Sequence, residues 1–456
     1  MLLLTVTNIV TLAPISRLPA AVLGQIKARL TFANPAHQEA EKRGFYTGNI
    51  PLVIRGWRQE AERLTAPRGF TAQLVGILQG AAVQYRIQDR RRILAPVAFT
   101  FHGQLADFQE TAATAMAVRD FGTLEAPTGS GKTVIAMELI ARRRQPALIV
   151  VHTKELMDQW INRIETFLGI QAGEVGRVGG GKKIVGEKIT VALVQTLCKC
   201  ADEIAPHVGF LIVDEAHRCP SRTFTEAVTA FDSRFMLGLS ATPWRRDGLS
   251  RLIYWHLGDK VYEVDKAALV EAGHVLQADV VWRETGFEPT FDPSAEYSQM
   301  LSELTRDASR NALIAEDVAQ EARNGGGVCL VLSDRKAHCE ALQAALRGHG
   351  IEAHILTGDL TNGDRQAVVA ALNDGRVKVL VATGQLIGEG FDCRELSTLF
   401  LATPIRFNGR LLQYLGRILR PAPGKDKARV YDYRDPVGVL EAAALARQRV
   451  YGPETD

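Results

Sequence analysis

Two short stretches of this 456-residue chain carry side chains suited to phosphate chemistry. In APTGSGKT, residues 126–133, the glycines at 129 and 131 leave backbone N–H groups free to curl around phosphate oxygens. Lys132 is placed to reach the β and γ phosphates and the Thr133 hydroxyl to ligand Mg²⁺, with Pro127, Thr128, Gly129, Ser130 and Gly131 forming the cradle. The run that follows, VIAMELIARR, reads as a helix whose positive end faces the anion. Ala126 stands where the GxxxxGK[ST] pattern begins with Gly, so a Gly-rich turn before an ordinary helix is the alternative. Eighty-two residues after Lys132 comes FLIVDEAH, an apolar strand ending in Asp214, Glu215, Ala216 and His217. Such a strand delivers its carboxylates to the C-terminal edge of a parallel sheet, where ligands bind. Asp214 is expected to hold Mg²⁺, directly or through water, Glu215 to orient the water that attacks the γ-phosphate, and His217 to contact the phosphate side of the site or the opposite domain. A strand-end salt-bridge group is the alternative for the acids, and a core or surface position for the histidine. No NKxD-like stretch reads a guanine base, so ATP is the expected nucleotide.

The elements that must hold these groups are legible as two series of apolar runs. ALIVV (147–151), ITVALV (189–194), FLIVD (210–214) and FMLGLS (235–240) alternate with amphipathic helical stretches. GVCLVLS (327–333), EAHILTG (352–358), VKVLVAT (377–383), STLFLAT (397–403) and ARVYDY (428–433) form the second series. Each predicts a parallel sheet covered by helices. The expected fold is α/β, with two tandem parallel-sheet domains, 96–275 and 276–456, behind a small basic α+β module at 1–95. The turn formers of ETGFEPTFDPSAEYS (284–298) place a hinge region broadly at 272–310.

Composition excludes several classes. Hydrophobic residues make up 46% and charged residues 23%, as in a water-soluble globular protein. The opening MLLLTVTNIVTLAPI lacks a basic leader and is broken by Thr7, Asn8 and Pro14, so it reads as a first strand, and a cytoplasmic home in a bacterial or phage-infected cell is expected. Six cysteines, with only a tight CKC at 198–200, show no metal-like spacing and read as free thiols. Residues 1–95 hold thirteen Lys and Arg against five carboxylates, so the rest of the chain is net acidic although the whole is +3. A basic module on an acidic engine points to a polyanion, with Arg90, Arg91 and Arg92 the densest point; a solvated basic face is the alternative.

With these motifs in order, the chain resembles the superfamily 2 helicases of the DEAH-box kind over residues 100–435. The resemblance rests on LADFQ with Gln109, APTGSGKT, VVHTKELMDQW (150–160), VALVQTL (191–197), DEAH, SAT (240–242), VLVATGQLIGEGFD (379–392) and QYLGRILR (413–420). It implies two RecA-like lobes and a DNA-dependent ATPase that moves 3′-to-5′. Gln109 would read adenine, and Arg417 and Arg420, three apart on one helical face, would serve as the cationic pair for the γ-phosphate. Gln413 would lie one turn before them, and Gly390 and Asp392 would belong to a bent loop beside the nucleotide. Ser240, Ala241 and Thr242 would couple nucleotide state to the nucleic-acid path. His152, Thr153, Gln195, Thr196, Thr357, Gly358 and Thr383 match positions that hold the backbone of one DNA strand without reading sequence.

Within that superfamily, PWRRDGL (243–249) is similar to the Arg-Glu-Asp element of XPB-like helicases, with Arg246 in place of the acid. LTFANPAHQEAEKRGFYTGNIP (30–51) resembles the N-terminal domains of phage helicases related to XPB and UvsW. There Lys42, Arg43, Phe45, Tyr46, Arg55 and Trp57 either combine phosphate contacts with base stacking or form the module's core. Three functions follow: a DNA helicase or branch-migration motor acting in repair or recombination on single-stranded, forked or branched DNA; a double-strand translocase of a restriction or defence assembly; and a binding protein with a retired ATPase. Intact Lys132, Asp214, Glu215, Arg417 and Arg420 argue against the last.

Overall fold

The computed structural model describes residues 1–218, 222–241, 248–325, 327–384, 393, 395–405, 408–422, 425 and 427–451. They divide into two units, one of residues 1–127 and 131–264, the other of residues 128–130 and 265–456.

In the first unit, the apolar runs become the interior of an eight-stranded sheet. Its order is Lys182–Ile184, Gly176–Gly179, Ile189–Leu193, Ala147–Val151, Phe210–Val213, Phe235–Ser240, Phe121–Glu125, Lys260–Glu263. Ala147–Val151, Ile189–Leu193 and Phe210–Val213 are buried at every position, which unbroken Val, Ile and Leu runs allow and alternating ones do not. The outermost pair, Lys182–Ile184 with Gly176–Gly179, is antiparallel and the other pairings are parallel. Parallel pairing brings the C-terminal ends of seven strands to one edge. In register, Val213 faces Val150 and Ser240 faces Glu125, so the segments that follow lie side by side. The amide of Ala126 donates to Ser240 O at 2.9 Å, which pins the start of the glycine loop to the end of the neighbouring strand.

The basic front module is a five-stranded sheet in the order Arg58–Glu60, Arg63–Pro67, Ile9–Ala13, Leu2–Val6, Tyr85–Asp89. The opening residues form two antiparallel strands, Leu2–Val6 and Ile9–Ala13. Helices Ala20–Arg29 and Thr71–Gly80 bury Val22, Ile26, Leu74 and Leu78 with Leu2, Leu4, Val10 and Leu12. Trp255, from helix Ser250–Leu257 of the large-sheet part, joins this same core. Arg68, 2% exposed, donates to Ser233 O, and Gly69 lies so near Tyr254 O and Gly258 N that no Cβ would fit. Module and sheet are thus one packed body within the first unit.

The second unit is built on six parallel strands: Ala278–Glu284, Ala428–Arg434, Leu396–Leu401, Val328–Ser333, Val379–Thr383, Ala353–Leu356. Both large sheets match the expected tandem architecture, RecA-like in kind. The hinge expectation needs correction, because 272–310 contains the edge strand Ala278–Glu284 and the helix Tyr297–Leu304. At the edge, ADVVWRE has one paired side and is only partly buried, so its residues lack the unbroken apolar signature. Buried ion pairs order this unit's core: Arg310 with Asp435 at 2.7 Å and Arg447 with Asp432 at 2.6 Å. Among the described residues, no helix is long and apolar enough to cross a membrane.

Candidate nucleotide and nucleic-acid site

The loop 126–133 joins strand Phe121–Glu125 to helix Lys132–Arg143. Gly129 and Gly131 take φ of +92° and +79°, a region that side-chain-bearing residues avoid. A Cβ on Gly131 would also meet the Gln109 Nε2 end, which could shift aside, so the positive φ is what calls for glycine there. Gln109 sits in the first turn of helix Asp107–Ala117, its Oε1 accepting the Ala106 N–H at 3.0 Å, which aims the amide at the loop. Lys132 Nζ donates to Ala126 O at 2.9 Å, and Thr133 follows it in the first helical turn.

Asp214 follows strand Phe210–Val213 and is 8% exposed. Its Oδ2 accepts the indole N–H of Trp160 at 2.8 Å and its Oδ1 accepts the Glu215 amide at 2.9 Å. Burial first, then the Glu215 charge, push its carboxyl up to about 6, against the pull of Trp160 and Lys132. Glu215 adopts φ +50°, a left-handed conformation that costs about 1–3 kcal/mol in a residue other than glycine. Its Oε2 is 3.2 Å from His217 Nδ1, and Ser240 Oγ is 3.4 Å from the same nitrogen. Glu215, His217 and Ser240 therefore form a contact series from the acidic end of one strand to the end of the next.

These groups suit Mg-ATP. The loop offers amides and a cation to phosphate, while Thr133 and Asp214 offer hard oxygen donors of the kind Mg²⁺ takes. Glu215 Oε2 is buried, with the His217 ring nitrogen 3.2 Å away as its neighbour, which leaves this oxygen short of hydrogen bonds.

At this edge lie the first-unit residues expected on the nucleic-acid path. His152 and Thr153 follow strand Ala147–Val151, and Gln195 and Thr196 follow Ile189–Leu193. Gln195 Nε2 donates to His152 O at 3.4 Å, and the His152 ring stacks on Phe224 with centroids 6.4 Å apart. Thr153 caps helix Lys154–Leu168, its Oγ1 accepting from Leu156 N, so a structural duty accompanies any contact role. In the second unit, Thr357, Gly358 and Thr383 share a sheet edge because Leu356 pairs with Ala382. Tyr414 OH donates to Gly384 O at 2.7 Å, tying helix Asn408–Ile418 to that edge. Arg417 lies in this helix, whereas Arg420 stands two residues past its end, so the single helical face expected for the pair is not continuous. Thr242, Gly390 and Asp392, like Arg246, lie outside the described residues, as does the side chain of Gln413. Ala241 is half-buried directly after Ser240.

The basic run separates into different environments. Arg91 pairs with Asp89 and Asp120, both at 2.7 Å, with its side chain only 9% exposed. Arg92 pairs with Asp232 at 2.8 Å, and Arg90 is exposed. Two of the three arginines at the densest point of the basic module are thereby paired with carboxylates inside the first unit. Trp160, which residue type and spacing do not single out, is the indole that donates to Asp214. It stands within VVHTKELMDQW, on the helix face that also buries Met157, Ile161 and Ile164, and a buried indole N–H needs an acceptor.

Comparison with known proteins places these features in a family. Residues 102–245 match the model of the type III restriction enzyme res subunit, and residues 309–422 that of the helicase conserved C-terminal domain. A probable helicase, D10, of Escherichia phage T5 is 25% identical over 382 residues, covering 82% of this chain and 81% of that protein. The DNA 3′-5′ translocase XPB2 of Sulfurisphaera tokodaii is 35% identical over 159 residues, 35% of each chain. The structure of S. cerevisiae Dbp5 bound to RNA and ADP BeF3 shares the fold at a TM-score of 0.57 and 14% identity, covering 78% of this chain and 89% of that one.

Proposed function

The chain belongs to the superfamily 2 helicases and is an ATP-hydrolysing helicase enzyme, and from that premise we propose that it is a DNA motor. It couples Mg-ATP hydrolysis to 3′-to-5′ movement on DNA and to unwinding or branch migration of forked and recombining DNA in repair. The observation that carries the reading is the shared sheet edge on which Lys132, Asp214, Glu215, His217 and Ser240 meet the segments bearing His152 and Gln195. A basic front module and a relative named as a DNA translocase support DNA as the polyanion.

In this reading the 127–131 amides and Lys132 bind the β and γ phosphates, and Gln109 reads the adenine edge. Thr133 and Asp214 hold Mg²⁺, which supplies positive charge to the phosphate oxygens. Glu215 orients and polarises the attacking water, its strained backbone holding the carboxylate in place. Arg417 and Arg420 are assigned the neutralisation of charge developing on the γ-phosphate, and Gln413, Gly390 and Asp392 a share in nucleotide binding. His217 and Ser240, with Ala241 and Thr242, pass the state of Glu215 to His152, Thr153, Gln195 and Thr196. With Thr357, Gly358 and Thr383, these hold one strand by its backbone, without sequence preference.

The experiment is ATP hydrolysis by the purified protein alone and with single-stranded DNA, a fork, duplex DNA or single-stranded RNA, alongside displacement of a labelled strand. DNA-stimulated turnover with displacement supports the proposal. Stimulation by duplex without displacement supports a double-strand translocase instead, the second reading that the restriction-subunit match over 102–245 favours. Stimulation by RNA alone contradicts both.

A further inference from the structure

A short excursion of the front module has no role in the site described above. Strands Thr31–Ala33 and Val53–Arg55 pair antiparallel, and between them the chain leaves the body through helix Pro35–Lys42 and returns through residues 43–52. Its neck is pinned: Asn34 Oδ1 caps the helix at Ala36 N, Asn34 Nδ2 donates to Pro51 O at 2.8 Å, and Asn34 N donates to Leu52 O at 2.9 Å. Beyond this neck, Phe45 is 63% exposed, Tyr46 80% and Leu52 65%. Three large apolar side chains in eight residues are held in water by a closed loop, an arrangement that costs solvation and indicates a partner surface.

The surroundings say what that partner is. Residues 27–58 contain six Lys and Arg against two carboxylates. Lys27 lies over the Trp57 ring at 4.6 Å, and the Trp57 indole donates to Thr31 Oγ1 at 2.9 Å, so this aromatic is an anchor beneath the excursion, not part of its tip. Exposed aromatic faces within a cationic field match unpaired bases and their phosphates, since bases stack on such faces whatever their sequence. The excursion's base also rests on the motor. Phe32 packs edge-on against Trp255 at 5.4 Å, Arg251 lies over Phe32, and a Cβ on Gly248 would lie 3.1 Å from Pro35 Cγ. Gly248 and Trp255 belong to the chain that runs on from Ser240, which touches His217.

We propose that Phe45 and Tyr46 are a strand-splitting tip that stacks on the bases at a single-strand–duplex junction, seated on the segment that follows Ser240. The inference rests on the DNA-motor reading and adds to it the place where base pairs are parted. Translocation needs only backbone contacts, whereas separation needs a surface that stabilises the bases it unpairs.

The test pairs Phe45→Ala/Tyr46→Ala with the aromatic exchange Phe45→Tyr/Tyr46→Phe, using a forked duplex carrying 2-aminopurine at the junction. For the alanine pair, displacement falls about tenfold while turnover stimulated by single-stranded DNA stays within about twofold, and the junction fluorescence change seen with wild type is lost. The aromatic exchange retains displacement and fluorescence. Unchanged displacement in the alanine pair overturns the proposal, as does an equal fall in displacement and turnover, which would make the segment a general part of the fold. Failure of the motor reading is distinguishable, because wild type itself would then show neither DNA-stimulated turnover nor displacement.

Discussion

Asp214 in the first unit and Asp435 in the second are both buried aspartates at the ends of parallel strands, and their partners differ in kind. Asp435 meets the Arg310 guanidinium at 2.7 Å and accepts the Thr285 hydroxyl at 2.6 Å, while Arg310 also donates to Ala402 O. Asp214 has no cation in hydrogen-bond contact among the described residues; it accepts a neutral indole N–H and an amide, and beside it stands a second carboxylate on a strained backbone. Complete pairing holds a fold together, because removing either partner strands a buried charge. Two adjacent acids without a guanidinium partner oppose each other's ionisation, and burial adds to that cost at Asp214; the proposed Mg-ATP site would give their charge a counterpart.

The sharpest way to break this contrast is Lys132→Ala, which should lower ATP turnover at least about a hundredfold, since it removes the phosphate cation of the loop. Arg310→Met should destabilise the second unit by about 3–5 kcal/mol in chemical unfolding, by stranding Asp435, yet leave nucleotide affinity of the folded fraction unchanged. If Arg310→Met is silent in unfolding, the structural half of the comparison fails.

A smaller effect follows from the Asp214 carboxyl, raised to about 6 from an ordinary value of 3.8. Between those values the folded chain binds a proton that the unfolded chain has released, so its stability contribution is lost as pH rises through about 6. In nucleotide-free protein, the stability of wild type relative to Asp214→Asn should fall by about 1 kcal/mol from pH 5 to pH 7. A flat difference would show that Asp214 is not held in a desolvated, acid-paired setting. Smallest of all, Arg90→Ala should reduce the salt slope of DNA binding by about one unit, whereas Arg91→Ala should lower stability with little change of slope, its guanidinium being bound to Asp89 and Asp120.

Legibility in the sequence followed burial and locality. Strands such as ALIVV and FLIV were plain because a covered parallel strand must be apolar at every position. The glycine loop was plain because its function depends on local backbone freedom. Ala278–Glu284 was obscured by its edge position, where polar residues are tolerated. Arg91 and Trp160 could not be assigned from type and spacing, since their partners Asp120 and Asp214 are set by tertiary packing. The Glu215 strain was equally hidden, because φ belongs to the folded turn and DEAH spells only the side chains.

The central claim is that Glu215 is kept for chemistry and not for structure, and Glu215→Gln tests it most directly by comparing ATP affinity with DNA-stimulated turnover in one preparation. The account predicts that ATP and DNA affinities stay within about threefold of wild type while turnover falls at least about a hundredfold. Turnover that survives, or affinity lost in proportion to turnover, would contradict it.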